Sequence, residues 1–237
     1  FKKLNIKILH DHYESGTQNI IKQMAIRKLG GCSIGKLRSH VGEKSYLFLG
    51  YYPNDIFFVP SKDSGRRLIN HSLNKFQHVI VSGFPFNLST KNNKIEVNKI
   101  KNFFNENNKK FIVLLLDEGH SSNQSSSSQT LMTSSVNNFY NILLDQFSKI
   151  SDIGIIIKPK NLHTIKSLKK VYAKVLDLEK KGICYLVKDA FQRGSSQYAP
   201  IINLAIQIST HYPSALIDCV FKKKLSVFFD IGNLKSI

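Results

Sequence analysis

The chain has 237 residues, 42% of them hydrophobic, which is enough for one large domain or two small ones with a sizeable core. Its formal net charge of +18 favours an anionic partner, such as a polyanion or a membrane surface. No apolar run approaches the ~18 residues that a membrane-spanning helix needs. The chain begins at Phe1 without an initiator methionine or a signal-peptide pattern, so we expect a fragment of a longer protein.

The cysteines and lysines are spread along the sequence rather than clustered. Cys32, Cys184 and Cys219 form no C-x-x-C pair, which predicts free, buried thiols in a reducing cytoplasm. The lysines form no cluster interleaved with aromatic residues, and no zinc-finger spacing is present. A basic module that binds nucleic acid or is noncatalytic is therefore kept as the alternative from a different functional class.

The first elements of the chain are a strand, a helix and a second strand. Alternation over Leu4–Leu9 predicts the first strand, and apolar residues at helical spacing predict a helix over Thr17–Leu29. Gly30 and Gly31 end this helix, and Cys32–Ile34 begins the second strand. This order is typical of a parallel α/β sheet.

Polar residues follow the first predicted strand at its carboxyl end. His10 and His12 flank Asp11, and alternate residues of a strand point the same way. Two histidines without a third ligand at a known spacing do not define a metal site, so we predict no metal. His12 is instead a candidate general base that accepts the proton of a hydroxyl group, because histidine titrates near neutral pH.

The next elements lead to a joint that is rich in turn residues. Tyr52–Pro60 and Val79–Phe84 predict strands, and Lys62–Asn74 between them predicts a helix. Pro85–Lys94 predicts a linker between two domains, and Ile95–Asn108 is a helix or an irregular spacer. The predicted N-terminal domain, linker and C-terminal domain are residues 1–87, 88–110 and 111–237.

Strands and helices alternate through the C-terminal half. The predicted strands are Phe111–Leu116, Gly154–Ile157, Ile183–Val187, Ile206–Ile208 and Leu225–Phe229. The predicted helices are Val136–Ile150, Leu162–Glu179, Tyr198–Leu204 and Ser214–Lys222. This alternation predicts a parallel, doubly wound sheet, and the Ser-rich stretch Ser121–Ser135 predicts a mobile loop. No G-x-G-x-x-G or G-x-x-x-x-G-K-[ST] motif is present, which argues against a standard dinucleotide domain and a P-loop NTPase.

The turn after Ile206–Ile208 has the features of an anion site. Ser209 and Thr210 can cap the following helix, and Pro213 suits its first turn. Free N–H groups at a helix start attract anions, and phosphates bind at the carboxyl ends of strands in open α/β sheets. We therefore predict a phosphate site here, with simple helix capping by Ser209 and Thr210 as the alternative.

The segment Ala205–Gly232 resembles the nucleotide-sugar-binding domain of GT-B glycosyltransferases. It is most similar to the bacterial surface-carbohydrate group, which includes capsule and teichoic-acid transferases and is related in fold to UDP-GlcNAc 2-epimerases. The residues that match the family pattern are Ser209, Thr210, Ser214, Ala215, Leu216, Ile217, Asp218, Lys224 and Asp230. The N-terminal half resembles the first domain of the same group at Glu14, Ile21, Ala25, Gly30, Ser33, Ile34 and Gly35.

This resemblance implies an α/β fold of GT-B type, with two Rossmann-like domains that have parallel sheets and face a cleft. The implied function is that of a glycosyltransferase, or polyol-phosphate transferase, that uses a nucleotide-activated donor in surface polysaccharide biosynthesis. The alternative enzyme is an isomerase similar to UDP-sugar 2-epimerases. The implied partners are a nucleotide-sugar donor, a saccharide or lipid-linked acceptor and an anionic membrane contacted from the cytoplasm, without a cofactor or a metal.

The resemblance also implies roles for individual residues. Those implied to bind the donor diphosphate are Ser209, Thr210, Ser214, Ala215 and Lys158. Asp218 is implied to bind the ribose, and the nucleobase loop is implied to be Lys188, Asp189, Ala190 and Phe191. The implied catalytic residues are Glu14 and Glu118, and His12 is the third catalytic candidate because of its residue type.

Overall fold

The structure is a computed structural model that describes most of the chain. The described residues are 2–11, 17–36, 52–71, 76–83, 94–117, 120–121, 131–188, 195–209 and 214–230. The chain divides into two compact units, Phe1–Phe86 and Asn87–Ile237.

The first unit is built on a parallel sheet with the strand order β1-β2-β3-β4. Its strands are β1 (Ile8–Asp11), β2 (Cys32–Lys36), β3 (Ile56–Val59) and β4 (His78–Val81). Its helices are α1 (Thr17–Lys28), between β1 and β2, and α2 (Lys62–His71), between β3 and β4. The strand predicted over Leu4–Leu9 is wrong over its first four residues, because Lys2–Leu4 is a 3₁₀ helix and β1 begins only at Ile8. Asn5, with a φ of 47°, interrupts the extended chain before β1 begins.

A buried carboxylate holds the elements of the first unit together. Asp55 accepts hydrogen bonds from the backbone N–H of Ser33 at 2.8 Å, the hydroxyl of Ser33 at 2.9 Å and the guanidinium of Arg27 at 2.6 Å. Burial raises the pKa of the Asp55 carboxyl, but the Ser33 and Arg27 donors outweigh it and hold the pKa below its usual range. These bonds connect α1 and β2 to the start of β3.

The second unit is built on a five-stranded sheet in which every pair of neighbours is parallel, with the order β11-β10-β5-β8-β9. The strands of this sheet are β5 (Phe111–Leu116), β8 (Ile153–Lys158), β9 (Cys184–Leu186), β10 (Leu204–Ser209) and β11 (Leu225–Asp230). A separate short pair is formed by β6 (His120–Ser121) and β7 (Leu131–Met132). The helices are α3 (Lys94–Glu106), α4 (Thr133–Phe147), α5 (Leu162–Ser167), α6 (Lys169–Lys180) and α7 (Ser214–Phe221).

Helices cover both faces of this sheet, which explains why its central strands are apolar throughout. On one face, side chains of β5, β8 and β9 pack with α4, α5 and α6. On the other face, they pack with α3, α7 and the 3₁₀ helix Ser195–Tyr198. A parallel strand buried on both faces is expected to be a continuous apolar run rather than an alternating one.

The predicted fold class is confirmed: both units are α/β with parallel sheets. In the second unit, β8 and β9 extend the sheet to one side of β5, while β10 and β11 extend it to the other. The sheet is therefore doubly wound, and its topological switch point lies between β5 and β10.

Two parts of the second unit differ from the prediction, and a third was left open by the sequence. Within the predicted linker 88–110, where Ile95–Asn108 was a helix or an irregular spacer, the chain forms α3, whose Ile100 and Phe104 are buried in the core of the second unit. The helix predicted over Tyr198–Leu204 is wrong, since the 3₁₀ helix ends at Tyr198 and β10 begins at Leu204. The loop predicted over Ser121–Ser135 is wrong at its end, where buried Leu131 lies in β7 and α4 begins at Thr133.

None of the helices in the described part of the chain is long and apolar enough to cross a membrane.

Candidate functional site

The carboxyl edge of the second sheet brings together the polar ends of three strands. Asp117 directly follows β5, Lys158 is the last residue of β8, and Ser209 is the last residue of β10. In open α/β sheets, ligands bind outside the carboxyl ends of the strands at the switch point, which here lies between β5 and β10.

Asp117 is fixed at this edge by hydrogen bonds to two neighbouring segments. The hydroxyl of Tyr140 in α4 donates to Oδ2 of Asp117 at 2.6 Å, and the backbone N–H of Lys160 donates to Oδ1 at 2.7 Å. Burial, together with the charge and hydrogen bond of Asp117, raises the pKa of Tyr140 well above its usual range, so Tyr140 stays a donor. Asp117 therefore joins the loop after β5 to α4 and to the loop after β8.

Lys158 is a buried cation at the end of β8, with only 8% of its surface exposed. Burial lowers the pKa of its ammonium group, while the nearby carboxylates of Asp117 and Asp218 act in the opposite direction. Lys158 forms no salt bridge within the part of the chain that the structure describes. The ammonium group of Lys158 thus lies at the carboxyl edge of the sheet, near two carboxylates but in direct contact with neither.

The amino end of α7 is held at the carboxyl end of β10. Gln207, which is buried in β10, accepts a hydrogen bond from the backbone N–H of Leu216 through Oε1 at 2.8 Å. The hydroxyl of Ser195 donates to the backbone oxygen of Ala215 at 2.9 Å, which connects the 3₁₀ helix to the same turn. The first N–H groups of a helix have no partner within the helix, so this fixed end presents a positive partial charge to the edge of the sheet.

Asp218 and Cys219 lie one turn further along α7. Burial raises the pKa of Asp218 to about 6, and the positive charge of Lys158 opposes this shift. Burial raises the pKa of the Cys219 thiol to about 12, so this cysteine stays protonated. Asp218 is thus the half-buried acidic group of α7 that faces the charge of Lys158.

His120, at the start of β6, positions neighbouring segments. Its Nε2 lies 2.9 Å from the backbone oxygen of Thr164, which can only accept, so Nε2 carries the proton. Its Nδ1 lies 3.0 Å from the hydroxyl of Thr133, which can either donate or accept in this hydrogen bond. Both ring nitrogens are engaged, and the histidine connects the loop after β5 to α4 and α5.

An open groove of about 470 Å³ lies between the starts of α4 and α6. Thr133, Ser134 and Asn137 line one side of it, and Lys169 and Lys170 line the other. Both lysines are exposed, and neither forms a salt bridge in the described part of the structure.

The structure places only part of the predicted site. Lys158 and Asp218 lie close enough to affect each other's pKa, and Ala215 lies in the first turn of α7. Ser209 is fully buried, with 0% exposure, and Lys188 is exposed just after β9. Ser214 begins α7. The predicted site residues that lie outside the described residues are Glu14, His12, Glu118, Thr210, Asp189, Ala190 and Phe191.

Two polar side chains that shape this site were not predicted from the sequence. Tyr140 falls on the apolar face of an amphipathic helix, where it looks like an ordinary core residue. Gln207 did leave a signal, because it is a polar residue within the buried run Leu204–Ser209. Among the described residues, no group of three histidine, cysteine or acidic side chains is arranged to hold a metal.

No known family model and no curated protein sequence matches this chain. Its structure is similar to that of S. aureus MnaA in complex with UDP, with a TM-score of 0.62 over 95% of this chain and 11% sequence identity. It is also similar to Anabaena HepE in complex with UDP, with a TM-score of 0.54 over 100% of this chain and 12% identity. Similarity to the wall teichoic acid polymerase TagF is lower, with a TM-score of 0.43 over 97% of this chain and 12% identity.

The likeness to MnaA and HepE defines the fold class as α/β of GT-B type. At 11% and 12% identity, it is a likeness of fold. This chain spans 58% of the MnaA chain and 63% of the HepE chain, which is less than two thirds of either. It spans 73% of the TagF chain.

Proposed function

We propose that this protein is a glycosyltransferase, or polyol-phosphate transferase, that uses a uridine-diphosphate-activated donor in surface polysaccharide biosynthesis. Two observations support a donor of this kind. The fold is shared with two proteins whose structures contain UDP. The carboxyl edge of the second sheet also combines a buried lysine, a helix amino end and an acidic side chain.

Lys158 is the single observation on which the proposal depends most. It is buried at the end of β8, and no described carboxylate forms a salt bridge with it. Burying an ammonium group without a direct counter-charge is costly unless an anion joins it. A diphosphate at the switch point would supply that anion and would also face the amino end of α7.

The proposed chemistry is stabilisation of the leaving group. When a sugar is transferred, the acceptor oxygen bonds to the anomeric carbon, the bond from that carbon to the terminal phosphate oxygen breaks, and UDP leaves with added negative charge on that phosphate. When a polyol phosphate is transferred, the acceptor oxygen bonds to the phosphorus that carries the polyol, the P–O–P bridge breaks, and the departing uridine monophosphate gains the charge. Lys158 and the backbone N–H groups at Ser214 and Ala215 then interact more strongly with the transition state than with the bound donor. Hydroxyls of Ser209 and Thr210 would add hydrogen bonds to the same phosphates. Because Ser209 is fully buried in the unliganded chain, its hydroxyl would have to turn toward the ligand by a change of rotamer.

The proposed roles of the other site residues are contacts with the ribose, the nucleobase and the acceptor. Asp218 would accept hydrogen bonds from the ribose hydroxyls, and residues 188–191 would contact the nucleobase. Glu14, His12 and Glu118 are proposed to act at the acceptor, where one of them removes the hydroxyl proton. The acceptor is proposed to be a saccharide or a lipid-linked saccharide at the cytoplasmic face of a membrane.

Calorimetric titration with UDP tests the proposed donor site. Wild-type protein should bind UDP, and Lys158→Met should weaken binding roughly 10- to 100-fold, since a charge-assisted hydrogen bond contributes about 1.5–3 kcal/mol. Lys160→Met is the matched control, because Lys160 is exposed and meets Asp117 only through its backbone N–H. Equal UDP affinity in wild type and Lys158→Met would exclude Lys158 from the site.

Product analysis separates the proposed reaction from its alternatives. A transferase incubated with labelled UDP-sugar should release UDP and move the label onto a saccharide or lipid-linked acceptor. Conversion of the UDP-sugar to its 2-epimer with the UDP still attached would indicate an isomerase instead. Release of UDP with a free 2-epimeric sugar, such as ManNAc from UDP-GlcNAc, would indicate epimerisation with hydrolysis by water. Retention on heparin without any nucleotide binding would favour a basic, noncatalytic module.

A further inference from the structure

Gln197 is a buried polar side chain whose amide has no hydrogen-bond partner among the residues that the structure describes. It lies in the 3₁₀ helix Ser195–Tyr198 and is 9% exposed. Its Oε1 and Nε2 are both buried, and neither is hydrogen-bonded in the described structure. Buried amides in native proteins almost always have partners, so an orphaned amide calls for an explanation such as a ligand.

Gln207, of the same residue type, shows that this region can satisfy a buried amide. Gln207 is 1% exposed, and its Oε1 accepts a hydrogen bond from the backbone N–H of Leu216 at 2.8 Å. The two glutamines have the same side chain, so Gln197 lacks partners because of where its amide lies. An amide offers one acceptor atom and two donor hydrogens in one plane. In Gln197, none of these groups forms a hydrogen bond in the described structure.

The position of Gln197 is fixed next to the proposed diphosphate site. The hydroxyl of Ser195 donates to the backbone oxygen of Ala215 in the first turn of α7 at 2.9 Å. At the other end of the 3₁₀ helix, buried Tyr198 accepts backbone hydrogen bonds from Ile201 at 2.9 Å and Ile202 at 3.2 Å. The 3₁₀ helix thus packs against α7 at the carboxyl edge of the sheet.

We propose that Gln197 recognises the pyrimidine base of the nucleotide, an inference that rests on the proposed function. The base is uracil in the donor proposed above. Uracil presents an N3–H donor beside the O4 acceptor, and the amide supplies the complementary pair: Oε1 accepts from N3–H while Nε2 donates to O4. The side chain has rotatable χ angles, so the amide turns toward the base by a change of rotamer when the nucleotide binds.

The test compares UDP with inorganic pyrophosphate as calorimetric probes of the same protein. Gln197→Met keeps the length of the side chain and removes both polar groups. It should lower the affinity for UDP about tenfold or more and leave the affinity for pyrophosphate unchanged. Because Met needs no hydrogen-bond partner, the unliganded variant should melt at the same temperature as wild type or higher, which also shows that it folds. Gln146→Met, at an exposed position of α4, is the matched control and should change neither affinity.

The outcomes separate the two proposals. If wild type binds UDP and Gln197→Met binds it equally well, the inference about Gln197 is wrong and the proposed function stands. If Gln197→Met weakens UDP and pyrophosphate by the same factor, Gln197 acts on the phosphate site and not on the base, which also overturns the inference. If wild type binds neither probe, the proposed function fails and the role of Gln197 fails with it.

Discussion

The hydroxyl of Tyr140 donates a hydrogen bond to Oδ2 of Asp117 at 2.6 Å, between the middle of α4 and the carboxyl end of β5. Both residues are buried, and the backbone N–H of Lys160 completes the contacts of the same carboxylate. The carboxylate that follows the central strand therefore connects this strand to a helix on one face and to the loop after β8. The strand ends of the candidate site depend on this connection for their position.

We expect Tyr140→Phe to destabilise the protein by about 1–3 kcal/mol, because it removes one donor from a buried carboxylate without changing the shape of the ring. Urea unfolding followed by circular dichroism measures this difference. Tyr172→Phe in α6 is the matched control: Tyr172 is half-buried, and no side-chain hydrogen bond of its hydroxyl is found among the described contacts. Equal unfolding midpoints for the two variants would show that the bond to Asp117 adds nothing to stability.

The central strands of the second unit were predictable from the sequence, because a strand covered by helices on both faces is apolar throughout. Phe111–Leu116 is observed with the predicted bounds, and the strand predicted as Gly154–Ile157 is one residue longer at each end. Lys158 was therefore expected at a strand end, although its burial was not.

Contacts between distant polar residues were not predictable in the same way. The period of an amphipathic helix shows which face is buried, but it does not show that Tyr140 meets a carboxylate 23 residues away. The 3₁₀ helix that carries Gln197 has four residues, too few to give a periodic signal. Whether the amide of Gln197 finds a hydrogen-bond partner depends on the residues that pack around it. These neighbours are distant in the sequence and cannot be identified from a local sequence pattern.

The raised pKa of Asp218 predicts how its contribution to stability depends on pH. Its carboxyl has a pKa of about 6 in the folded chain against an ordinary value of 3.8, mainly because of burial. The folded state therefore holds this proton more tightly than the unfolded state does. The resulting stability is fully present below pH 3.8 and is lost as the pH rises through about 6.

We expect Asp218→Asn to remove this pH dependence. As the pH rises from 4 to 7, the free energy of unfolding of the variant should therefore increase relative to that of wild type. Urea unfolding at a series of pH values measures it. Asp145→Asn is the control, because Asp145 is exposed beside Lys174 and its pKa is lowered, which puts its own effect at more acidic pH. Parallel pH profiles for wild type and Asp218→Asn would contradict the raised pKa.

The exposed lysines of α5 and α6 predict attraction to an anionic membrane. Lys174 pairs with Asp145, and Lys181 pairs with Asp177 at 2.6 Å, so their charges are partly compensated. The other lysines of this region form no salt bridge among the described residues, and they are Lys166, Lys169, Lys170 and Lys180. Each lysine close to an anionic surface contributes about 1 kcal/mol of binding free energy, an effect that salt weakens.

Replacing these four lysines with glutamine should reduce partition onto phosphatidylglycerol vesicles by roughly 100-fold or more at low salt, as measured by sedimentation with the vesicles. A matched variant replaces four exposed lysines of the first unit, Lys2, Lys3, Lys22 and Lys28, and keeps the same net charge as the test variant. An equal loss in the two variants would mean that net charge alone drives the binding, and that α5 and α6 form no membrane surface.

Ser209, the last residue of β10, and Thr210, which follows it in the sequence, provide the most direct test of where the donor diphosphate binds. The side chain of Ser209 is fully buried, so Ser209→Ala should lower the free energy of unfolding by about 1 kcal/mol as a hydrogen bond is lost. Thr210→Val keeps the shape of the side chain and removes only its hydroxyl.

If the two hydroxyls bind phosphate as proposed, the double variant should also weaken UDP binding about tenfold or more, since each substitution removes a charge-assisted hydrogen bond. Thermal melting measured with and without saturating UDP separates these effects, because a ligand at 100 times its dissociation constant stabilises the folded state by about 2.7 kcal/mol. If the double variant melts at a lower temperature but is shifted by UDP as much as wild type at every UDP concentration, the two residues only stabilise the turn before α7, and the phosphates bind elsewhere.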